Sequence, residues 1–155
     1  MPDVLSPPQT ALNLIDGEWR PSKSGKTFEN RNPADTRDLI AHLQASGPED
    51  VKEAVDAAER AFPAWANTPA PVRGRILLKA AQILESRLND VADLLSREEG
   101  KTIAEAKGET TRAVRLLEYF AGEGSRFSGD TIPSERPRVF MYTIRQPLGR
   151  NRVAR

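Results

Sequence analysis

The stretch from Thr68 to Gly129 constrains this chain most, because it spells two amphipathic helices with a stop between them. In the first half Leu77, Ala81, Leu84, Leu88, Val91 and Leu95 recur at alternating steps of four and three residues, which aligns them on one helix face. Leucine and alanine bury there with little loss of rotamer freedom. The second half repeats the pattern with Ile103, Ala106, Thr110, Ala113, Leu117, Phe120, Gly124 and Phe127. Glu99-Gly100-Lys101-Thr102 separates the two. Gly100 suits the left-handed residue that closes a helix. Thr102, with Glu105 three residues on, is the reciprocal capping pattern that opens the next one. A packed helical pair follows from these residues; a reaction does not.

The flanking segments predict short strands and one more helix. Asp16-Gly17, between Leu14-Ile15 and Glu18-Trp19, predicts a hairpin with a type I′ turn and Trp19 as its anchor. Thr27 to Arg31 reads as a strand, Asn32-Pro33-Ala34-Asp35 as a turn, and the alternation over 38–45 as a second strand. Ser46 as cap, Pro48 in the first turn and Glu49 three residues after the serine open a helix. Its expected buried face is Val51, Ala54, Val55, Ala58 and Phe62; Pro63 is expected to break or kink it, with Trp65 packing nearby. Pro69 and Pro71 fit only a first turn, where amide protons are unpaired anyway. Beyond Gly129, Arg138 to Gln146 carries apolar groups on both faces, which predicts a strand covered on both sides. The expected segment is mostly α, with short N-terminal strands, three long helices and a C-terminal strand pair. Residues 1–11 read as a loose lead-in, and 150–155 as a basic tail without pattern.

Composition closes several routes. The 155 residues fit one domain or part of a larger one. Lys+Arg 23 against Asp+Glu 22 leaves a net charge of +1, which argues against nucleic acid or an anionic membrane as partner. With no cysteine there is no disulfide, thiolate metal site or sulfur nucleophile. No apolar run approaches the roughly 20 residues that span a bilayer. Residues 1–11 lack the pattern of a secretory signal, so a soluble cytoplasmic chain is expected.

The candidate chemistry is thin. His42 is the one histidine and sits in the predicted strand, where an ordinary half-exposed side chain is the simpler reading. Gly100-Lys101-Thr102 imitates the end of a phosphate loop, but Leu95 stands where its first glycine belongs. In Gly124-Ser125-Arg126-Phe127-Ser128-Gly129 the loop's lysine is replaced by Asp130, and Gly122-Glu123-Gly124 lacks the third glycine of a dinucleotide fingerprint. Glu105 and Glu109 share a helix face as an acid/base or metal pair would; a cap and a solvated face is the simpler reading. The arginines of 150–155 have no interleaved aromatics to stack on bases.

An ordered series of short motifs adds what periodicity cannot. Ile15-Asp16-Gly17-Glu18-Trp19, Asn32-Pro33-Ala34, Glu49-Asp50-Val51, Ala61-Phe62-Pro63-Ala64-Trp65, Glu99-Gly100-Lys101-Thr102 with Glu105-Ala106 and Gly108-Glu109, Tyr119-Phe120-Ala121-Gly122, Tyr142-Thr143 and Pro147-Leu148-Gly149 run along the chain. Together they resemble the N-terminal part of the NAD(P)-dependent aldehyde dehydrogenase superfamily, an α/β family. The resemblance covers about 12–149. It implies that 12–130 is the N-terminal part of a dinucleotide-binding domain. It also implies that 131–149 are bridging strands, through which 131–147 would join a second copy or a full-length paralogue. The family's catalytic asparagine, glutamate and cysteine and its cofactor lysine come later in its sequence. No catalytic, cofactor-binding or metal residue is therefore assigned here, and NAD or NADP is expected only of the parent family. Arg150-Asn151-Arg152 stands where the family has an apolar strand, which reads as an early stop after a reading-frame change or a natural truncation. Arg112 aligns with a family position at the substrate entrance, where an arginine resembles enzymes of carboxylated semialdehydes such as the α-ketoglutarate semialdehyde group. A guanidinium there would hold a distal carboxylate; the competing reading is an ion pair with Glu109 or Glu105.

Overall fold

The computed structural model describes residues 9–149, so residues 1–8 of the expected lead-in and the expected tail at 150–155 lie outside the described residues. Local chemistry fixes the first elements. β2 (Asn13–Ile15) and β3 (Glu18–Arg20) pair antiparallel, with Leu14 opposite Trp19. Asp16 and Gly17 hold φ at 56° and 79°, the positive values that the predicted type I′ turn requires. Trp19 does not anchor a core; its side chain is exposed.

β4 (Thr27–Arg31) and β5 (Leu39–Gln44) pair antiparallel, and β1 (Gln9–Thr10) adds a parallel strand, giving the order β1-β5-β4. The expected turn between β4 and β5 is present. The Asn32 side-chain oxygen accepts the Ala34 amide proton at 2.9 Å, and the Asn32 carbonyl accepts that of Asp35 at 3.2 Å.

Helix α1 (Pro48–Asn67) begins one residue later than the sequence pattern suggests. Its N-cap is Gly47, not Ser46, and Asp50 rather than Glu49 turns back, accepting the Gly47 amide proton at 2.8 Å. Ser46 Oγ instead accepts a hydrogen bond from Asn13 at 2.8 Å. Pro63 does not break the helix, which runs on to Asn67. The chain turns off where the Thr68 amide donates to the Trp65 carbonyl and its hydroxyl to that of Ala64. The expected buried face holds only in part, with Val55 and Phe62 half-buried. Ala57 and Asp50 are buried, whereas Val51 is 59% exposed and Ala54, Ala58 and Trp65 lie open.

The long first helix of the central stretch is two helices, α2 (Ala70–Ser86) and α3 (Leu88–Glu99), so four helices replace the expected three. The break is at Arg87, with φ −112° and ψ 17°; its amide donates to the Leu84 carbonyl, and the Ser86 hydroxyl donates back to Ile83 at 2.8 Å. Gly100 then closes α3 at φ 71°, and α4 (Ile103–Glu123) opens on Thr102. There the Thr102 amide donates to Glu105 Oε2 at 3.1 Å and the Glu105 amide to Thr102 Oγ1 at 3.3 Å, the reciprocal pattern read from the sequence.

Both α2 and α3 pack on α4. The seam is made of small side chains: Gly74, Ala81, Ala92, Ala106, Thr110 and Val114 are buried. Val114 was not on the expected face, and Ile103, Phe120 and Phe127, which were, are exposed. β6 (Thr131–Ile132) and β7 (Met141–Tyr142) pair antiparallel as the expected C-terminal strand pair. The strand over 138–146 is neither long nor covered: Phe140 is 73% exposed, and Val139, Met141, Tyr142 and Ile144 are open as well. With β6 and β7 paired to each other and their apolar side chains open, residues on both faces mark an exposed ribbon rather than a buried strand.

Candidate functional site

The joint between α3 and α4 gathers a cluster of charged side chains. Lys101 is largely enclosed, its side chain 17% exposed, and pairs with Glu99 and, at 2.7 Å, with Glu109. These carboxylates raise its pKa, the hydrogen bond that Lys101 donates to Glu109 most. Glu105 is held below its ordinary pKa by hydrogen bonds from the Thr102 hydroxyl and amide. The possible acid/base pair is therefore divided: Glu105 serves the cap and Glu109 serves Lys101.

This leaves Arg112 without the ion pair that was its competing reading. It is exposed on α4 one turn beyond Gly108, and no described side chain forms an ion pair or hydrogen bond with it. The guanidinium offers its planar fork to solvent, a geometry that suits a carboxylate.

The other candidates are structural. His42 lies in β5 with Thr10 and Glu29 beside it, half-buried. Gly100-Lys101-Thr102 forms a helix stop, and a Cβ on Gly100 would stand 3.0 Å from Pro33 and 3.2 Å from the Ala34 nitrogen. The β4–β5 turn thus rests on the glycine between the helices. Gly122 and Gly124 belong to the end of α4, and Gly129 has no room for a side chain because the Thr143 carbonyl oxygen occupies the space.

Two clusters escaped sequence reasoning. Asp38 receives Nε–H and Nη2–H of Arg97 at 2.9 and 2.7 Å and the Asn32 amide at 3.3 Å, which clamps the sheet to α3. Asp50 is buried, and accepts hydrogen bonds from the Ser22 hydroxyl at 2.8 Å and the Lys23 and Gly47 amides at 2.9 and 2.8 Å, which lower its pKa. An aspartate three residues after a glycine was the available signal for the second. The first joins residues 59 apart and leaves no local signal.

A dinucleotide would need a free helix N-terminus beside a strand. α1 follows β5, but its N-terminus is filled by Asp50 and carries Glu49 as well. α2 starts at Pro69 and Pro71, which have no amide proton, and α4 is capped by Glu105. Among the described residues, these three helix N-termini do not fit a pyrophosphate.

Known proteins identify the scaffold. The model of the aldehyde dehydrogenase family matches residues 19–153. The chain belongs to the aldehyde dehydrogenase family. It is 47% identical over 146 residues to the alpha-ketoglutaric semialdehyde dehydrogenase of Bacillus subtilis (strain 168), covering 94% of this chain and 30% of that protein. The crystal structure of an aldehyde dehydrogenase from Brucella melitensis biovar abortus 2308 superposes with a TM-score of 0.86 at 34% identity, over 95% of this chain and 29% of that one. PnpE, solved in complex with nicotinamide adenine dinucleotide, superposes with a TM-score of 0.75 at 35% identity, over 81% of this chain and 26% of that one. The chain thus spans about 30% of the length of the curated relative that it matches at 47%. The family resemblance of the motifs is confirmed, and among the described residues no helix is long and apolar enough to cross a membrane.

Proposed function

We propose that these residues are the N-terminal scaffold of an NAD(P)-dependent semialdehyde dehydrogenase, with no dehydrogenase activity by themselves. In this reading 12–130 belongs to the dinucleotide-binding domain and 131–149 forms the bridging strands. The parent reaction is the oxidation of an aldehyde, here an acidic semialdehyde, to a carboxylate. The observation that carries the reading is the 47% identity to a protein named for such a substrate, over 94% of this chain. In this family oxidation starts with a thiolate adding to the aldehyde carbon. The 155 residues hold no cysteine, and the helix termini do not suit a pyrophosphate. The test is direct: purified chain, NAD or NADP, and a dicarboxylic semialdehyde, followed at the absorbance of reduced nicotinamide. No turnover is expected; steady reduction of the coenzyme would overturn the reading.

Arg112 is the residue we assign to the parent's substrate entrance. Its support is an exposed guanidinium with no described partner, on the helix that α2 and α3 hold in place. In a full-length dehydrogenase carrying this segment, Arg112→Leu is expected to raise KM for the acidic substrate and to spare a neutral aldehyde. Equal effects on both would remove the assignment.

A second reading keeps the same residues as a non-catalytic module that assembles with a second copy or a full-length paralogue through 131–147. The open apolar ribbon of β6 and β7 favours it.

A further inference from the structure

The turn at Asp16-Gly17 carries a chemistry that the family reading does not use. Nowhere else in the sequence does aspartate or asparagine precede glycine. The turn joins Ile15 to Glu18, so the Gly17 amide is at the third turn position and is not the donor of the turn's own hydrogen bond. A Cβ built on Gly17 would meet nothing within 4 Å, so no other part of the chain crowds that side of the residue. The Asp16 carboxylate is 57% exposed, and one oxygen is held, by Arg60 at 3.2 Å. β2 and β3 form a two-stranded sheet of their own; its ties to the rest of the chain by Asn13 to Ser46 and by Arg20 to Glu53 are at the end away from the turn, which Arg60 holds. Transient opening therefore lets amide and carboxyl find the geometry that the closed turn restrains.

We propose that Asp16-Gly17 is a site of spontaneous backbone isomerisation. The Gly17 nitrogen attacks Cγ of Asp16 in its protonated form, the new C–N bond closes a five-membered succinimide, and the carboxyl's hydroxyl oxygen leaves as water with its own proton, taken up from solvent, and the amide proton. Water then adds to either ring carbonyl, which restores aspartate or gives isoaspartate. No oxidant, reductant or second reactant is needed. Isoaspartate places an extra methylene in the main chain. A two-residue turn then no longer matches the pairing of Leu14 with Trp19, and the carboxylate is moved relative to Arg60.

The test incubates the full chain at physiological temperature and neutral pH, beside the same chain in urea. Both are digested, and isoaspartate is read peptide by peptide through methyltransferase labelling. In the folded chain the peptide containing Asp16 is expected to exceed the peptides of Asp35, Asp38 and Asp50 several-fold. Asp16→Ala should abolish its label, and Asp16→Asn should convert faster, with the mass gain of deamidation. Conversion in urea but none in the folded chain would overturn the proposal, because the closed turn would then protect the site. So would label spread evenly over the aspartates.

Discussion

Asp38 shows how one side chain fastens two parts of this fold. It lies just before β5, yet its carboxylate is held from α3 by both guanidinium donors of Arg97 and from the turn by Asn32. The Arg97 hydrogen bonds, more than Asn32, push its pKa from 3.8 down to about 2. A carboxyl that binds its proton less readily when folded stabilises the fold above its unfolded pKa. That contribution is complete above the ordinary carboxylate range and is lost as pH falls from 3.8 toward about 2. Asp38→Asn is therefore expected to unfold at lower urea than the parent at neutral pH, with the two curves converging as the solution is acidified over that window. Urea midpoints at a series of pH values measure this. A gap that stays constant into the acid range would mean that the aspartate acts through packing and not through its charge.

At the scale of elements, the contact between α2 and α4 is set by glycine. A Cβ on Gly74 would stand 2.5 Å from the Ala121 carbonyl oxygen, and one on Gly124 would stand 2.6 Å from that of Ala70. Gly108, also helical, has nothing within 4 Å of its Cβ position. Replacing a helical glycine by alanine gains about 1 kcal/mol from helix propensity. Forcing two backbones apart costs about 1–3 kcal/mol. Gly108→Ala is therefore expected to raise stability, and Gly74→Ala to lower it. Thermal unfolding of both variants, followed by circular dichroism, checks the opposite signs; a gain in both would mean that the helices shift apart freely. The same element shows what the sequence could disclose. Gly100, Thr102 and Glu105 act on neighbours within three residues, so their geometry was legible. The Arg87 break was not, because no glycine or proline marks it and the spacing from Leu84 to Leu88 passes through it unchanged. The seam of α4 was half legible: Ala106 and Thr110 were expected in it, but large apolar residues dominate a periodicity reading, and this seam is closed by small ones such as Ala81 and Ala92 on the facing helices. Of the candidate site, the sequence could name Arg112 through family resemblance. That Glu109 turns to Lys101 and leaves Arg112 unpaired depends on three-dimensional placement.

For the whole molecule, the apolar surface is on the wrong side of the balance for a self-sufficient particle. The seams around α4 are closed, but Val51, Trp65, Ile76, Ile83, Leu116, Phe120 and Phe127 are exposed, and so is the ribbon from Ile132 to Ile144. Large contiguous apolar patches mark surfaces made to be covered. Two outcomes are separable in the purified chain. If these residues are scaffold for a larger enzyme, the chain should bind a hydrophobic dye, unfold over a broad urea range and aggregate, because several faces lack a cover at once. If they are an assembly module, exposure is useful only at the ribbon, and the chain should form one discrete oligomer that unfolds cooperatively. Phe140→Ser with Tyr142→Ser discriminates further. Both side chains are exposed and their rings pair with each other at 5.5 Å, so the double variant should leave helix content unchanged. A module would then become monomeric by light scattering, while a scaffold would aggregate almost as before through its helical faces. The balance of area favours the second result, since most of the open apolar residues lie outside the ribbon. A clean monomer produced by these two substitutions alone would favour the assembly reading over the scaffold reading.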